Sequence, residues 1–250
     1  MNFLLHHHFA ARELAGEPDV GTAALGAMLP DFFRMALGRR RRDRGTASLS
    51  PVALSAVGVA LQRGAVHHAT IDRWFHACAV FTEGERALKR AWLLPDSPKL
   101  VLFAHPAWEM CLDGALLDEL RGAPPADFSD AGNALSDVLA VAESDGVATA
   151  LDSEAKGTFE ARTRRILSAL ADGTLYADYR EAEGIVMRIA GMRTAFGLPF
   201  ADAPTRARWT EALAPFLDRA RESLGELRSA RTAANGAYSA DRDPRGHAAT

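Results

Sequence analysis

A helical periodicity runs through almost the whole chain and limits most strongly what it can fold into. Apolar residues recur at spacings of three and four, and alanine, leucine, glutamate and arginine are frequent. No run of alternating apolar and polar residues indicates a β-strand. The sequence therefore predicts an all-α protein, a single multi-helix bundle. We expect one domain over residues 1–229 and a disordered tail over 230–250, where the apolar pattern is lost.

The predicted helices are separated by turns that are rich in glycine, proline and charged residues. They cover residues 2–15, 20–33, 51–78, 82–94, 100–121, 133–143, 153–172, 176–196 and 204–229. Ser50 is the expected cap of the third helix, Gly64 is a point where that helix can break, and Pro106 is expected to bend the fifth helix. The basic segment 38–48 and the segment 122–132 are predicted loops.

Composition argues against several classes of protein. A net charge of -3 argues against a nucleic-acid binder, and two cysteines are too few for a disulfide framework or a four-cysteine zinc site. The first residues do not resemble a signal peptide, and no stretch of about 18 residues is apolar throughout. We therefore expect a cytoplasmic protein with no membrane span, and the sequence leaves its oligomeric state open.

Histidine is distributed unevenly along the chain. Seven of the eight histidines fall within the first 105 residues: His6, His7, His8, His67, His68, His76 and His105. On the predicted helix, His68, Asp72 and His76 follow one another at intervals of four, which places them on one face. Imidazole together with carboxylate suits a divalent cation. A hydrogen-bonded polar face is the alternative explanation of this spacing.

The same spacing returns in a strongly apolar segment, where it joins His105, Glu109 and Asp113. A buried carboxylate needs a metal ion, a cation or hydrogen-bond donors, so Arg193 or His68 is an alternative partner here. Several helices of a bundle commonly donate ligands to one metal ion. The combined segments therefore predict a site for a divalent cation.

Asp31 and the N-terminal histidines are weaker signals. Asp31 lies between apolar pairs in the segment GAMLPDFF, where it is either a further ligand or an ordinary aspartate beside proline. His6, His7 and His8 do not share one helical face. We expect at most one or two of these three histidines to enter a single site.

Five short segments, in the same order along the chain, resemble the acyl-carrier-protein phosphodiesterases. The opening MNFLLHHHFA is similar to that family's MNFLAHLHLA-type start, GAMLPDFF resembles its GNLLxDF segment, and HHATID resembles its HRxID segment. AWEMCL looks like a variant of the family's WDHFL segment. Residues 176–193 are similar to a later helix that contains tyrosine and ends in Gly-Met and arginine.

This resemblance implies an all-helical, HD-domain-like metal phosphohydrolase that releases 4′-phosphopantetheine from acyl carrier protein. The implied cofactor is a divalent cation, with Mn²⁺ first and Mg²⁺, Fe²⁺ or Zn²⁺ as the alternatives. The implied metal ligands are His6, Asp31, His68, Asp72, His105 and Glu109. The expected catalytic residues are Asp31, Asp72, Glu109 and Arg193.

Three of the expected catalytic residues, Asp31, Glu109 and Arg193, have a chemical role besides binding the metal ion. Glu109 or Asp31 would position or deprotonate a water molecule, and Arg193 or an arginine of residues 39–44 would neutralise phosphate. The same basic segment could steer an acidic partner such as acyl carrier protein.

The chain also departs from the family. Glu109 stands where the family has aspartate, Met110 where it has histidine, and His76 and His105 where it has acidic residues. Two other functions therefore stay open: a metal-dependent phosphohydrolase of a small molecule such as a nucleotide, and a non-catalytic helical scaffold. Failure of the predicted ligands to converge would favour the scaffold. A haem or di-iron bundle is disfavoured because paired Glu-x-x-His motifs are absent.

Overall fold

The computed structural model describes residues 3–38, 53–121, 125–147 and 151–240, and of residues 126 and 236–240 it describes the backbone only. Within these ranges the regular structure is helical and no strand is formed, which confirms the all-α bundle. The α-helices are α1 (Phe3–Glu13), α2 (Val20–Gly26), α3 (Leu29–Leu37), α4 (Ala56–Ala77), α5 (Ala79–Ala91), α6 (Ala104–Glu119), α7 (Leu135–Ser144), α8 (Ser153–Ala171), α9 (Ala182–Ala195) and α10 (Ala203–Ala240). The likeness to the HD-domain fold stays a prediction.

Prolines and caps set several helix ends differently from the sequence prediction. The predicted helix over 20–33 is two helices, because Pro30 lies in the first turn of α3, where its missing N–H costs nothing. Pro106 likewise lies in the first turn of α6. Ser55 caps α4 by accepting a hydrogen bond from the Gly58 amide. Ser50, the predicted cap, lies outside the described residues.

Helix α4 does not break at Gly64, because this glycine lies where α4 crosses α2. A β-carbon on Gly64 would overlap the carbonyl oxygen of Ala23, and one on Gly26 would overlap the carbonyl oxygen of Leu61. Only hydrogen atoms fit between the two backbones at these points. The two glycines therefore let α2 and α4 pack closely, which brings α4 next to the turn that follows α2.

Helix α6 forms the centre of the core and contacts α1, α5, α9 and α10. Its Trp108 is completely buried. Together with the short helical turn before it, the segment Leu100–Glu119 is long and apolar enough to cross a membrane, and 78% of its most apolar window is buried inside the protein. The central helix of a bundle has the same composition, so the absence of a membrane span stays a prediction.

Helix α10 continues beyond the predicted end of the domain. Residues 230–240 are helical, whereas the sequence predicted a tail from 230, and residues 241–250 lie outside the described ranges. Arg231 explains the difference, since its Nε and Nη2 donate to the Glu13 carboxylate at 2.7 and 2.8 Å. Its guanidinium also lies 5.1 Å from the centre of the Trp74 ring. These contacts hold the second half of α10 against α1 and α4.

The Glu13–Arg231 pair predicts a pH-dependent stability. Burial opposes ionisation of Glu13, but its hydrogen bonds with Arg231 and His67 lower its pKa to about 2. The ionised carboxylate therefore adds stability above the ordinary pKa of 4.5, and this stability is lost as the pH falls towards 2. We expect Glu13→Gln to lower the free energy of unfolding by about 1–3 kcal/mol at pH 7 in urea denaturation.

The control for this prediction is Glu17→Gln, because Glu17 pairs with Arg63 at 3.4 Å and its side chain is 54% exposed. We expect that variant to be nearly neutral. A Glu13→Gln loss of the same size at pH 3 and pH 7 would contradict the assigned role of the ion pair.

Candidate metal centre

His68 lies on α4 and has a buried nitrogen that could bind a metal ion. Its Nδ1 is 2.8 Å from the carbonyl oxygen of Ala27. A carbonyl oxygen only accepts hydrogen bonds, so Nδ1 carries the hydrogen and Nε2 keeps its lone pair in the neutral ring. That Nε2 is buried and has no hydrogen-bond partner. A hydrogen bond from the other ring nitrogen to a carbonyl is the usual support of a metal-binding histidine.

A first group of possible ligands brings together His6 from α1, Asp31 from α3 and His68. One ligand atom of each lies within 4.8 Å of the others, and all three residues are buried. The His6 and His68 rings are 4.1 Å apart. Burial, and next to it the proximity of the His68 ring, keeps the pKa of His6 well below its ordinary value, so the His6 ring is neutral at pH 7. The Asp31 carboxylate accepts a hydrogen bond of 3.1 Å from Arg34.

A second group consists of His76, His105 and Glu109, again with ligand atoms within 4.8 Å of one another. His105 Nε2 lies 3.3 Å from Glu109 Oε1, and His76 Nε2 lies 3.7 Å from the same oxygen. The hydrogen bond with Glu109 raises the pKa of His105, although burial opposes this. Burial disfavours the ionised form of Glu109 as well, but the positive charges around it, including His105, hold its pKa well below the ordinary value.

Asp72 lies between the two groups. Its Oδ1 is 3.0 Å from His76 Nε2 and 3.7 Å from His6 Nε2. Burial disfavours the charge, but the hydrogen bond with His76 and the nearby imidazoles lower the pKa of Asp72 to about 2. An ionised carboxylate therefore faces a histidine of each group at neutral pH.

An open cleft of about 630 Å³ lies over these residues. Its lining is Pro30, Arg34, Ala65, His68, Ala69, Asp72, Arg73, His76 and Ala77. Residues of both groups and two arginines therefore face one space. The helical spacing predicted His76 on the face of His68 and Asp72, although the ligand set implied by the resemblance leaves His76 out. Arg34 and Arg73 were not predicted, because nothing in the sequence marks them among the other arginines.

The other N-terminal histidines are used elsewhere. His7 Nε2 lies 2.7 Å from the Asp127 carboxylate. His8 accepts a hydrogen bond of 3.3 Å from Arg228. Of the three consecutive histidines, His6 belongs to a ligand group and the other two do not, within the part of the chain that the structure describes.

Asp113 shares the helical spacing of His105 and Glu109 but belongs to neither ligand group. It is fully buried and accepts hydrogen bonds from the backbone amides of Leu4 at 3.2 Å and Leu5 at 3.0 Å. Burial raises its pKa to about 8, although both hydrogen bonds favour the ionised form. Asp113 thus pairs the otherwise unbonded amides at the start of α1 and fixes the helix that carries His6.

The contacts of Asp113 predict a structural role. Asp113→Ala leaves two buried amides unpaired, so we expect it to lower the free energy of unfolding by about 2 kcal/mol in urea denaturation at pH 6. Asp113→Asn keeps one acceptor oxygen, and we expect a smaller loss. Equal stability of Asp113→Ala and the wild type would show that these hydrogen bonds do not hold α1.

Arg193 lies against an aromatic ring. Its guanidinium carbon is 4.6 Å from the centre of the Trp209 ring, and its Nε and Nη1 are buried without a hydrogen-bond partner. No hydrogen bond or ion pair joins it to the ligand groups among the described residues. Its role in phosphate binding stays a prediction, and the basic residues 39–44 lie outside the described ranges.

Comparisons of the chain with family models, with curated proteins and with solved structures found no match. The resemblance to acyl-carrier-protein phosphodiesterases therefore depends on its five short motifs. The geometry adds that buried histidine and carboxylate groups from several helices could hold a metal ion.

Proposed function

We propose that this protein is a metal-dependent phosphoester hydrolase. The observation that carries the proposal is the cleft, in which His68, Asp72 and His76 lie beside Arg34 and Arg73. Nitrogen and carboxylate ligands bind a divalent cation, while guanidinium groups bind the remaining phosphate oxygens. A purely structural polar cluster does not require arginines in an open cleft next to unpartnered imidazole nitrogens.

The residues of the first group, together with Asp72, fit a divalent cation. His6, Asp31, His68 and Asp72 would hold it, because both imidazoles offer buried nitrogens without a hydrogen-bond partner and the carboxylates supply negative charge. Such an ion polarises a phosphoryl oxygen and lowers the pKa of a bound water. A donor set of two imidazoles and two carboxylates suits Mn²⁺, Fe²⁺ or Zn²⁺ better than Mg²⁺, which prefers oxygen ligands. We propose Mn²⁺ as the first choice.

The remaining residues of the cleft would bind and orient the substrate. Arg73 and Arg34 lie where they can neutralise a phosphate group, and Arg34 also holds the Asp31 carboxylate in place. Asp31 and Glu109 are the candidate residues to orient or deprotonate an attacking water, because a carboxylate can accept a hydrogen bond and a proton from it. The cleft is open to solvent, so the substrate can be the end of a larger molecule.

We propose a phosphodiester as the substrate, with 4′-phosphopantetheinyl acyl carrier protein as the first candidate because of the five motifs. A small-molecule substrate such as a nucleotide is the second candidate. It is favoured by the replacements at His76, which lines the cleft, and at His105 and Glu109, which lie next to His76.

The test begins with protein purified without chelator, whose bound metal is measured. Hydrolysis of bis(4-nitrophenyl) phosphate is then followed with Mn²⁺, Mg²⁺, Fe²⁺ and Zn²⁺, and after treatment with a chelator. We expect activity that depends on the added ion. Holo acyl carrier protein and a panel of nucleotides then separate the two substrates. A metal-free protein that is inert with all four ions would refute the proposal and favour the scaffold.

A further inference from the structure

We propose that the cleft binds two divalent cations, the second held by His76, His105 and Glu109, with Asp72 shared between the two ions. This inference rests on the proposed function for the first ion only. The second group goes beyond the sequence analysis, in which His76 shares a face with His68 and Asp72 and the resemblance implies one site that includes His105 and Glu109.

The second group offers three donors from two helices. His76 comes from the end of α4, and His105 and Glu109 come from one face of α6. Their donor atoms lie within 4.8 Å of one another, so one ion can be reached by all three. Two imidazoles and a carboxylate form the donor set that borderline divalent metals prefer.

His105 is oriented as a metal-binding histidine would be. Its Nδ1 lies 3.1 Å from Glu85 Oε1 on α5. A carboxylate at neutral pH accepts hydrogen bonds, so Nδ1 carries the hydrogen, while Nε2 points to Glu109. This is the arrangement in which a carboxylate behind a histidine fixes the ring and makes its other nitrogen a better ligand. Glu85 is thus a positioning residue for the second ion.

Asp72 is the link between the sites. The same oxygen, Oδ1, lies 3.7 Å from His6 of the first group and 3.0 Å from His76 of the second. Enzymes with two metal ions about 3.5–4 Å apart commonly act on phosphate esters. Because Asp72 lies between the two ligand groups, its carboxylate could contact both metal ions.

Without the second ion, a proton on His105 would neutralise Glu109 instead. The two explanations differ in the number of ions bound, which can be measured without any activity assay. Chelator-treated protein is dialysed against excess Mn²⁺, and the bound metal is counted by mass spectrometry. Electron paramagnetic resonance then shows whether two Mn²⁺ ions are coupled.

We expect the wild type to bind two ions per chain and to give a coupled spectrum. His105→Ala and Glu109→Gln should each bind one ion and give the spectrum of isolated Mn²⁺. The matched control is His67→Ala, which removes a histidine of α4 that pairs with Glu13 outside both groups, and it should still bind two ions. Circular dichroism checks that each variant is folded, and His76→Gln replaces any variant that is not.

The outcomes separate the two proposals. One ion in the wild type and also in His105→Ala would overturn the second site and leave the first intact. One ion in His68→Ala and one in His105→Ala would support two distinct sites. Two ions in both His105→Ala and Glu109→Gln would overturn the ligand assignment. No bound ion in any protein would instead remove the first site and the proposed function with it.

Discussion

His68→Ala is expected to reduce the kcat/KM of phosphodiester hydrolysis by at least about 1,000-fold. The variant removes the nitrogen that is buried without a partner and the hydrogen bond that holds the ring to Ala27. A metal ion contributes several kcal/mol of transition-state stabilisation, and each 1.4 kcal/mol is a factor of about ten in rate. The measurement is steady-state hydrolysis of bis(4-nitrophenyl) phosphate with saturating Mn²⁺, together with the metal content of the variant.

The control for this prediction is the neighbouring histidine. His67 lies one residue away on the same helix but bonds to Glu13 at 3.1 Å and enters neither group. We expect His67→Ala to keep most of the activity. His68→Gln retains a donor for the Ala27 carbonyl, so it separates loss of the ligand from damage to the fold. Full activity in His68→Gln would show that His68 is not a ligand.

Gly64→Ala is expected to destabilise the protein by about 2 kcal/mol, although alanine favours helices. The added methyl group would overlap the backbone of α2 at Ala23, so the helices must separate. Overpacking at such a contact commonly costs about 1–3 kcal/mol, and an overlap with backbone atoms is expected at the upper end of that range. The higher helix propensity of alanine offsets about 1 kcal/mol of this cost. Since α4 carries His68, we also expect weaker binding of Mn²⁺. Denaturant unfolding and a metal titration measure the two effects.

The matched control is Gly157→Ala, for which we expect a gain in stability instead of a loss. Gly157 lies inside α8 with nothing within 4 Å of its added β-carbon. Gly157→Ala should raise the free energy of unfolding by about 0.5–1 kcal/mol through helix propensity alone. If Gly64→Ala raised the free energy of unfolding in the same way, the claim that α2 and α4 pack too closely for a β-carbon at this position would be refuted.

Spacing within one helix predicted the contacts that one helix determines. The interval of four between Asp72 and His76 gave a pair at 3.0 Å, and the interval between His105 and Glu109 gave a pair at 3.3 Å. The all-α bundle followed from the same periodicity. These features depend on local geometry, which the order of residues fixes directly.

Features that depend on how helices meet were not predictable in this way. The same interval placed Asp113 with Glu109, yet its carboxylate turns to the amides that begin α1. The approach of α2 to α4 depends on Gly26 and Gly64, and a glycine inside a helical pattern reads equally well as a break. The division of the predicted ligands into two groups around Asp72 arises from this packing.

The attachment of α1 also has a consequence for the order in which the site assembles during protein synthesis. The ligands His6, Asp31 and His68 are all translated early, but Asp113 lies 109 residues after Leu4, and Arg231 lies 218 residues after Glu13. Contacts of such long range form late. We expect a nascent chain that stops before α6 to hold no ion, so metal capture on the ribosome would wait at least until Glu119, the end of α6, has been translated.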